Sequence, residues 1–487
     1  MFEKLLNLAR VGKRLSAAAG NNHETAIKDE LALLLKSDPS IREQFETAYR
    51  KHALEKVSDN LFEVSAQQAM AARQNPPIDS PETEEIIDRI VGELLIQTPW
   101  FRYDGKTVSQ GDTLARPKDK GLPSVTLDEL KRIPPEIRPQ LTGRYTKCDI
   151  PGESYKILLD EYARYLRAPN TVQGRRLYNM FRQGLDILDL DGVTYEIIRM
   201  NSNSIGRWLP ALVDAAMKQD FFRVPATTVI EVPITLLQLT RCDYNVLTTS
   251  TLAVLDRYCQ EAFGLDTQKE YFVKTGTYSS KFDFRNAHVH GKKEVQELGE
   301  YLLFIHFLAC QMASPLNNKS IYGVSTTTEW AVREFIPDKE NNPTIYMGMP
   351  LHTEYRVFVD FDAQKVIGVS PYWEPETMKK RFGHEDDADS PHKIHDYVVY
   401  KAHEETLMRR YQENVDAVCV HIEAMLPDIR LCGQWSIDVM QNGEDFWIID
   451  MALAQNSALI ECVPKNLLWP AQERWVPALE DAVKANS

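Results

Sequence analysis

The segment from Gln434 to Met451, QWSIDVM-QNGED-FWIIDM, leaves this chain few choices of fold. Two runs of large apolar residues flank Asn442-Gly443, a pair that supplies the positive φ of a tight turn, so the spacing predicts an antiparallel hairpin. Each run carries one central carboxylate, Asp438 and Asp450, among apolar neighbours. A carboxylate in an apolar strand is costly unless a cation or metal compensates it. We expect Met440 to pair with Phe446, which sets Asp438 opposite Ile448 and Asp450 opposite Ser436, both acids on one face. A strict two-residue loop at Asn442-Gly443 would put them on opposite faces. Two acids on one face suit Mg²⁺ held between them and a ligand's phosphates. The alternative is acids at strand ends in solvent.

A second stretch, Tyr271 to Asp283 (YFVKTGTYSSKFD), reads as a strand delivering Lys274, then a pliable loop of small residues with free amides, then Lys281. Such a loop suits a polyphosphate, with amides and hydroxyls around the oxygens and two cations neutralising charge. It lacks P-loop spacing, and a solvated turn with two surface lysines is the competing reading. Trp330 to Pro337 (WAVREFIP) reads as a strand breaking into Glu334, Phe335 and Ile336, an apolar linker able to bond and sandwich a flat base. In His352 to Val359, period two puts Glu354, Arg356 and Phe358 on one face and Tyr355, Val357 and Val359 on the other. Arg356 can grip a terminal phosphate with its planar fork, or serve a structural ion pair.

Strand signals are confined to the later chain: 193–200, 227–232, 271–274, 330–335, 353–359, 366–369, 434–440 and 446–451, with a helix over 205–218. Residues 1–75 read as helical, and Asn75-Pro76-Pro77 marks a boundary. Ser80 and Pro81 start a further helix, 103–123 reads as a long loop, and Thr126 with Glu129 makes a capping box. Helices are expected over 153–167 and 171–185. The division is therefore a helical region 1–75, a mainly helical region with a long loop 76–190, and a mixed domain 191–487 in which the chemistry is to be sought.

A formal charge of -14 argues against general nucleic-acid or anionic-membrane binding, and no partner of either kind is expected. Seven dispersed cysteines argue for a reducing compartment, and no apolar run approaches the roughly 20 residues that span a bilayer, so a cytoplasmic protein is expected. His288 and His290 read as a surface strand, and 384–395 (HEDDADSPHKIH) as a mobile acidic loop rather than a zinc site.

The ordered set of lysine strand, loop with a second lysine, hinge, E-x-R strand and acidic hairpin resembles the ATP-grasp superfamily. The closest likeness is to its arginine-and-two-lysines clade, which includes a eukaryotic cell-division-cycle chaperone that helps assemble a translation initiation factor. The step from Lys274 to Lys281 and the segment EYRVFVDFDAQKVIGVS carry the match, over roughly Val224 to Val463. The resemblance implies an α+β fold, two subdomains sandwiching ATP. It implies that Lys274 and Lys281 hold phosphates, that Glu334, Phe335 and Ile336 form the adenine hinge, and that Asp338 bonds the ribose. Arg356 would contact the γ-phosphate, with Arg356 and Lys281 as the catalytic pair, and Asp438 and Asp450 would bind Mg²⁺. Members often carry an asparagine two residues after the final acid; Ala452 stands there, and Asn456 is the expected substitute. The implied activity is ATP-dependent, ADP-forming ligation of a carboxylate to an amine or other nucleophile through an acyl-phosphate. The alternative is an ATP-binding assembly factor that holds a protein partner without ligase turnover.

Overall fold

The computed structural model describes residues 81–126, 129–130, 195, 199, 201–239, 249–312, 327–381 and 391–470. The helices expected over 1–75, 153–167 and 171–185, and the cap at Ser80, lie outside them. The fold is α+β, with two mainly antiparallel sheets facing one another across a cleft; only β3 joins its neighbour, β13, in parallel.

The first elements are α1 (Pro81–Ile96), β1 (Trp100–Tyr103), β2 (Val108–Gly111), α2 (Ile205–Ala216), β3 (Phe222–Arg223), β4 (Thr227–Glu231) and α3 (Ile234–Gln238). Next come α4 (Thr249–Phe263), β5 (Tyr271–Thr275), a 3-10 helix over Lys281–Asn286, β6 (His288–Val289), α5 (Gly291–Gln296), α6 (Leu298–Met312) and β7 (Glu329–Glu334). The remainder is β8 (Thr344–Ile345), β9 (Met349–Pro350), β10 (Glu354–Asp360), β11 (Lys365–Pro371), α7 (Pro375–Arg381), α8 (Pro391–Met425), β12 (Gln434–Asn442) and β13 (Asp445–Leu453). The first sheet runs β2-β1-β4-β7-β5-β6 and the second β11-β10-β12-β13-β3, with β8 and β9 pairing separately.

Alternation in the sequence explains how these sheets bury themselves. Tyr355, Val357 and Val359 point into one core with Ile437, Val439 and Ile448, while Phe358 points the other way onto Ile367, Ala454 and Val463. Helix α2 supplies Trp208, Leu209, Leu212 and Val213 to that same core, which also takes Phe101, Val229 and Ala331 from the first sheet. One apolar helix face thus ties the two sheets together. Val418, Ile422 and Met425 of α8 extend the core. No helix among the described residues is long and apolar enough to cross a membrane.

Two expectations need correction. Within 103–123, Tyr103 and Val108–Gly111 belong to a β1–β2 hairpin rather than a loop. Its turn is closed by Asp104, whose Oδ1 accepts from the Lys106 and Thr107 amides at 2.9 and 2.7 Å. Strand β2 is solvent-exposed, so it carries no apolar alternation to be read. In the stretch 193–200, Tyr195 and Arg199 are helical, not extended, so β-branched content there misled. The Thr126–Glu129 box is formed, with Thr126 N donating to Glu129 Oε2 at 2.7 Å and Glu129 N to Thr126 Oγ1 at 3.3 Å. Of 384–395, only residues from Pro391 are described, and these open α8.

Ile437 is fully buried where β12 meets α2 and α8. Ile437→Ala should lower the free energy of unfolding by about 2–5 kcal/mol in a urea titration, the range for emptying a packed aliphatic site.

Candidate functional site

Ladder register puts the charged residues on two facing walls. In the first sheet, Lys274 pairs with Ala331 and Phe272 with Arg333, so Phe272, Lys274 and Arg333 share one face. In the second, Glu354 pairs with Met440, Arg356 with Asp438, and Asp438 with Asp450. The cleft between them encloses about 890 Å³, solvent at its mouth included. Its walls include Lys274, Lys281, Arg333, Glu334, Phe335, Ile336, Glu354, Asp438 and Asp450. Arg356, Asp338 and Asn456 are not part of that wall.

The expected hairpin forms with a different register. Asn442 pairs with Asp445 across a two-residue Gly443-Glu444 turn, with Gly443 at φ 67°, and Gln441, not Met440, faces Phe446. Uncorrected, that register would send Asp438 and Asp450 to opposite faces. A β-bulge intervenes: Val439 pairs with Ile448 and Asp438 with Asp450, leaving Ile449 as the extra residue. The acids thus face each other across one rung. The Arg333 guanidinium reaches from the first sheet and donates through Nη1 to the Ile449 carbonyl, pinning the bulge.

Each acid meets a cation. Arg356 grips Asp438 bidentately, Nε to Oδ1 at 2.8 Å and Nη2 to Oδ2 at 2.6 Å, with both side chains buried. Lys274, only 3% exposed in its side chain, reaches across the cleft to Asp450 Oδ1 at 3.0 Å, while the Asp450 carboxylate is 42% open. Burial lowers the Lys274 pKa, with Asp450 as partial compensation. Burial works to raise Asp450, but Lys274 and Arg333 outweigh it and hold its pKa below the ordinary carboxylate value. Lys281 donates to the Tyr372 hydroxyl, and the same tyrosine ring lies 4.6 Å from the Arg356 guanidinium carbon. Burial pushes the Glu354 pKa up to about 7, despite Lys281 nearby.

Sequence reasoning missed Arg333. It is 4% exposed, and its Nε and Nη2 are buried without a hydrogen-bond partner. Burial depresses its pKa to about 10, with Asp450 as the compensating charge. A single arginine within WAVREF, on the same face as the cleft-lining β5 lysine, was the available signal. Tyr372 was also missed as a site neighbour; His288, read as part of a surface strand, stacks its ring on Phe335 with centroids 3.9 Å apart.

Part of the lysine loop has its amides bonded within the fold. Thr275 N donates to Tyr278 O at 2.9 Å, Gly276 N to Glu329 O at 2.8 Å, and Tyr278 N to Thr275 Oγ1 at 2.9 Å. Ile205 N at the start of α2 donates to Gly276 O at 2.9 Å. In the hinge, Glu334 N donates to Ala226 O and Phe335 N to Glu270 O, at 2.9 and 3.0 Å. Asp338 turns to its own loop, accepting from the Asn342 amide at 2.6 Å and the Glu340 amide at 3.2 Å. Asn456 accepts from Asn203 Nδ2 at 3.1 Å, and its own Nδ2 is buried without a partner. Among the described residues, no group of three or more His, Cys, Asp or Glu is placed to hold a metal ion.

A Cβ on Gly276 would meet Ser204 Oγ and stand 2.8 Å from Thr327 Oγ1, so Gly276→Ala should destabilise by about 1–3 kcal/mol in thermal or urea melts. Glu354 gives a pH signature. Its folded pKa of about 7 exceeds the ordinary 4.5, so the folded state holds the proton longer than the unfolded chain. Stability should therefore fall as pH rises through that window, by up to about 3 kcal/mol relative to Glu354→Gln. Parallel melts of both proteins across the window would check this, and identical slopes would contradict it.

No family model matches this chain, and no curated protein does. Among solved structures it is similar to a C-terminally truncated Cdc123 from Schizosaccharomyces pombe, at 14% identity and a TM-score of 0.32, covering 56% of this chain and 96% of that one. It is similar also to Cdc123 from the same organism, at 14% identity and a TM-score of 0.31, covering 55% and 93%. Likeness at this level assigns neither ligand nor activity.

Proposed function

We propose that the chain binds ATP in the cleft between its two sheets, as an assembly factor that uses the nucleotide as a structural or switching ligand. The observation that carries this reading is Arg333, a buried guanidinium with two unpartnered N–H-bearing nitrogens in a wall shared with Lys274 and Lys281. Buried polar groups without partners are rare and costly, and a phosphate oxygen would satisfy these. Phe335 and Ile336 offer apolar contact to a base at the end of β7, and Lys274, Arg333 and Lys281 offer cations to the phosphates.

The donor set also fits Mg²⁺. Asp438 and Asp450 present hard carboxylate oxygens across one rung, and these would hold the ion beside the phosphates. Mg²⁺ supplies charge neutralisation of the triphosphate when bound. The chain's own part is an exchange: Lys274, which lines the cleft, releases Asp450 as it takes up phosphate. The implied departure at Ala452 and the position of Asn456 against Asn203 favour nucleotide retention over turnover. Ligation of a carboxylate through an acyl-phosphate is the second reading. Its specific support is Lys281 and Arg356 converging on Tyr372 beside Glu354, where a transferring phosphoryl group would find two cations.

Calorimetric titration with ATP, with and without Mg²⁺, tests the binding. Lys281→Ala and Arg333→Gln should each weaken ATP by about ten-fold or more while the protein stays folded. Unchanged affinity in both would remove the site assignment. ADP release on addition of a carboxylate and an amine would favour ligation over the assembly reading.

A further inference from the structure

A separate feature sits on the rim of the cleft. Lys281 lines the cleft, and the next residue, Phe282, turns outward with 47% of its surface exposed. Its ring meets that of Tyr346 edge-on, with centroids 5.1 Å apart, and the Arg381 guanidinium carbon lies 5.9 Å from its centre. Tyr346 and Met347 form the tip of the β8–β9 hairpin, and Met347 is 39% exposed. Both hold left-handed backbone, with φ of 50° and 61°. Tight hairpin turns normally place Asn or Gly there, and a bulky residue costs about 1–2 kcal/mol. The turn is held on both sides: Tyr346 N donates to Asp396 Oδ2 at 3.1 Å, and Tyr346 O accepts from Phe284 N at 2.9 Å. A strained turn anchored in this way keeps an apolar side chain in water, which core packing alone does not require.

Cations border the apolar pair. Helix α7 ends in Lys379, Lys380 and Arg381, and the two lysines are exposed. An exposed phenyl ring beside the Arg381 guanidinium, at the end of a helix that also exposes Lys379 and Lys380, complements a segment with one large apolar side chain and several carboxylates. Two exposed apolar side chains are far less than a stable dimer buries, which opposes a second copy.

We propose that this rim docks an acidic polypeptide segment of a partner protein, its apolar side chain set against Phe282 and Met347 and its carboxylates on Lys379, Lys380 and Arg381. The proposal goes beyond nucleotide binding and does not depend on it. It places the partner at the end of the cleft where Lys281 stands.

The test is selection from a displayed random-peptide library on the full chain without nucleotide, followed by fluorescence anisotropy of an enriched peptide. The variants are F282S/M347S, K379E/K380E and, as a control on another surface, K365E. Enriched peptides should combine Asp or Glu with an aromatic or large aliphatic residue, and added salt should weaken them. Each rim variant should lose about ten-fold or more in affinity, with K365E and all melting temperatures unchanged. The proposal is overturned if no acidic–apolar class is enriched, or if the peptides bind the rim variants as they bind wild type. It is also overturned if sedimentation shows a dimer that only the rim variants abolish, which would assign the rim to a second copy. A protein that takes up the peptide but no ATP would keep this proposal and remove the nucleotide reading.

Discussion

Asp438 and Asp450 face each other across one rung of the β12–β13 ladder, and the cleft is organised around compensating them. Two carboxylates that close would raise each other's cost of ionisation. Arg356, from the neighbouring strand, takes one bidentately; Lys274, from the opposite sheet, takes the other. The second contact is also structural, since it joins the two sheets at the base of the cleft. A buried ion pair offsets its desolvation only with good geometry, and removing one partner leaves a costly charge. The site and the sheet-to-sheet contact are therefore one piece of physics.

Arg333 completes that arrangement. Its bond to the Ile449 carbonyl holds the bulge that turns Asp450 to the Asp438 face, and the rest of its guanidinium remains without partners in the cleft wall. The same residue thus links register to charge. Lys274, Lys281 and Arg333 stand on these walls with Glu334, Glu354, Asp438 and Asp450, and Glu354 is held toward its neutral form.

Rigidity is distributed in a way that follows from backbone bonding. The lysine loop is tied at Gly276 to β7 and to the start of α2. The β8–β9 turn is held equally firmly, yet in a strained conformation that exposes Met347. One segment spends its hydrogen bonds on shaping the cleft, the other on presenting a surface.

Local pattern made much of this legible. Short runs of apolar and β-branched residues located β4, β5, β7, β10, β11, β12 and β13, and several of these strands are buried on both faces, β12 along its whole length. Charges stranded among apolar residues marked Lys274, Asp438 and Asp450. Exposed β2 carries no such run, and the extended reading of Tyr195 and Arg199 gave way to helix. The sequence by itself determined which segments become strands and which residues carry charge into them, since those depend on neighbours a few residues away. Only the tertiary structure decided that a single bulge would bring Asp438 opposite Asp450, that Arg333 would hold it, and that Asp338 and Asn456 would turn elsewhere. Those outcomes rest on contacts between segments far apart in the chain, and no local periodicity encodes them.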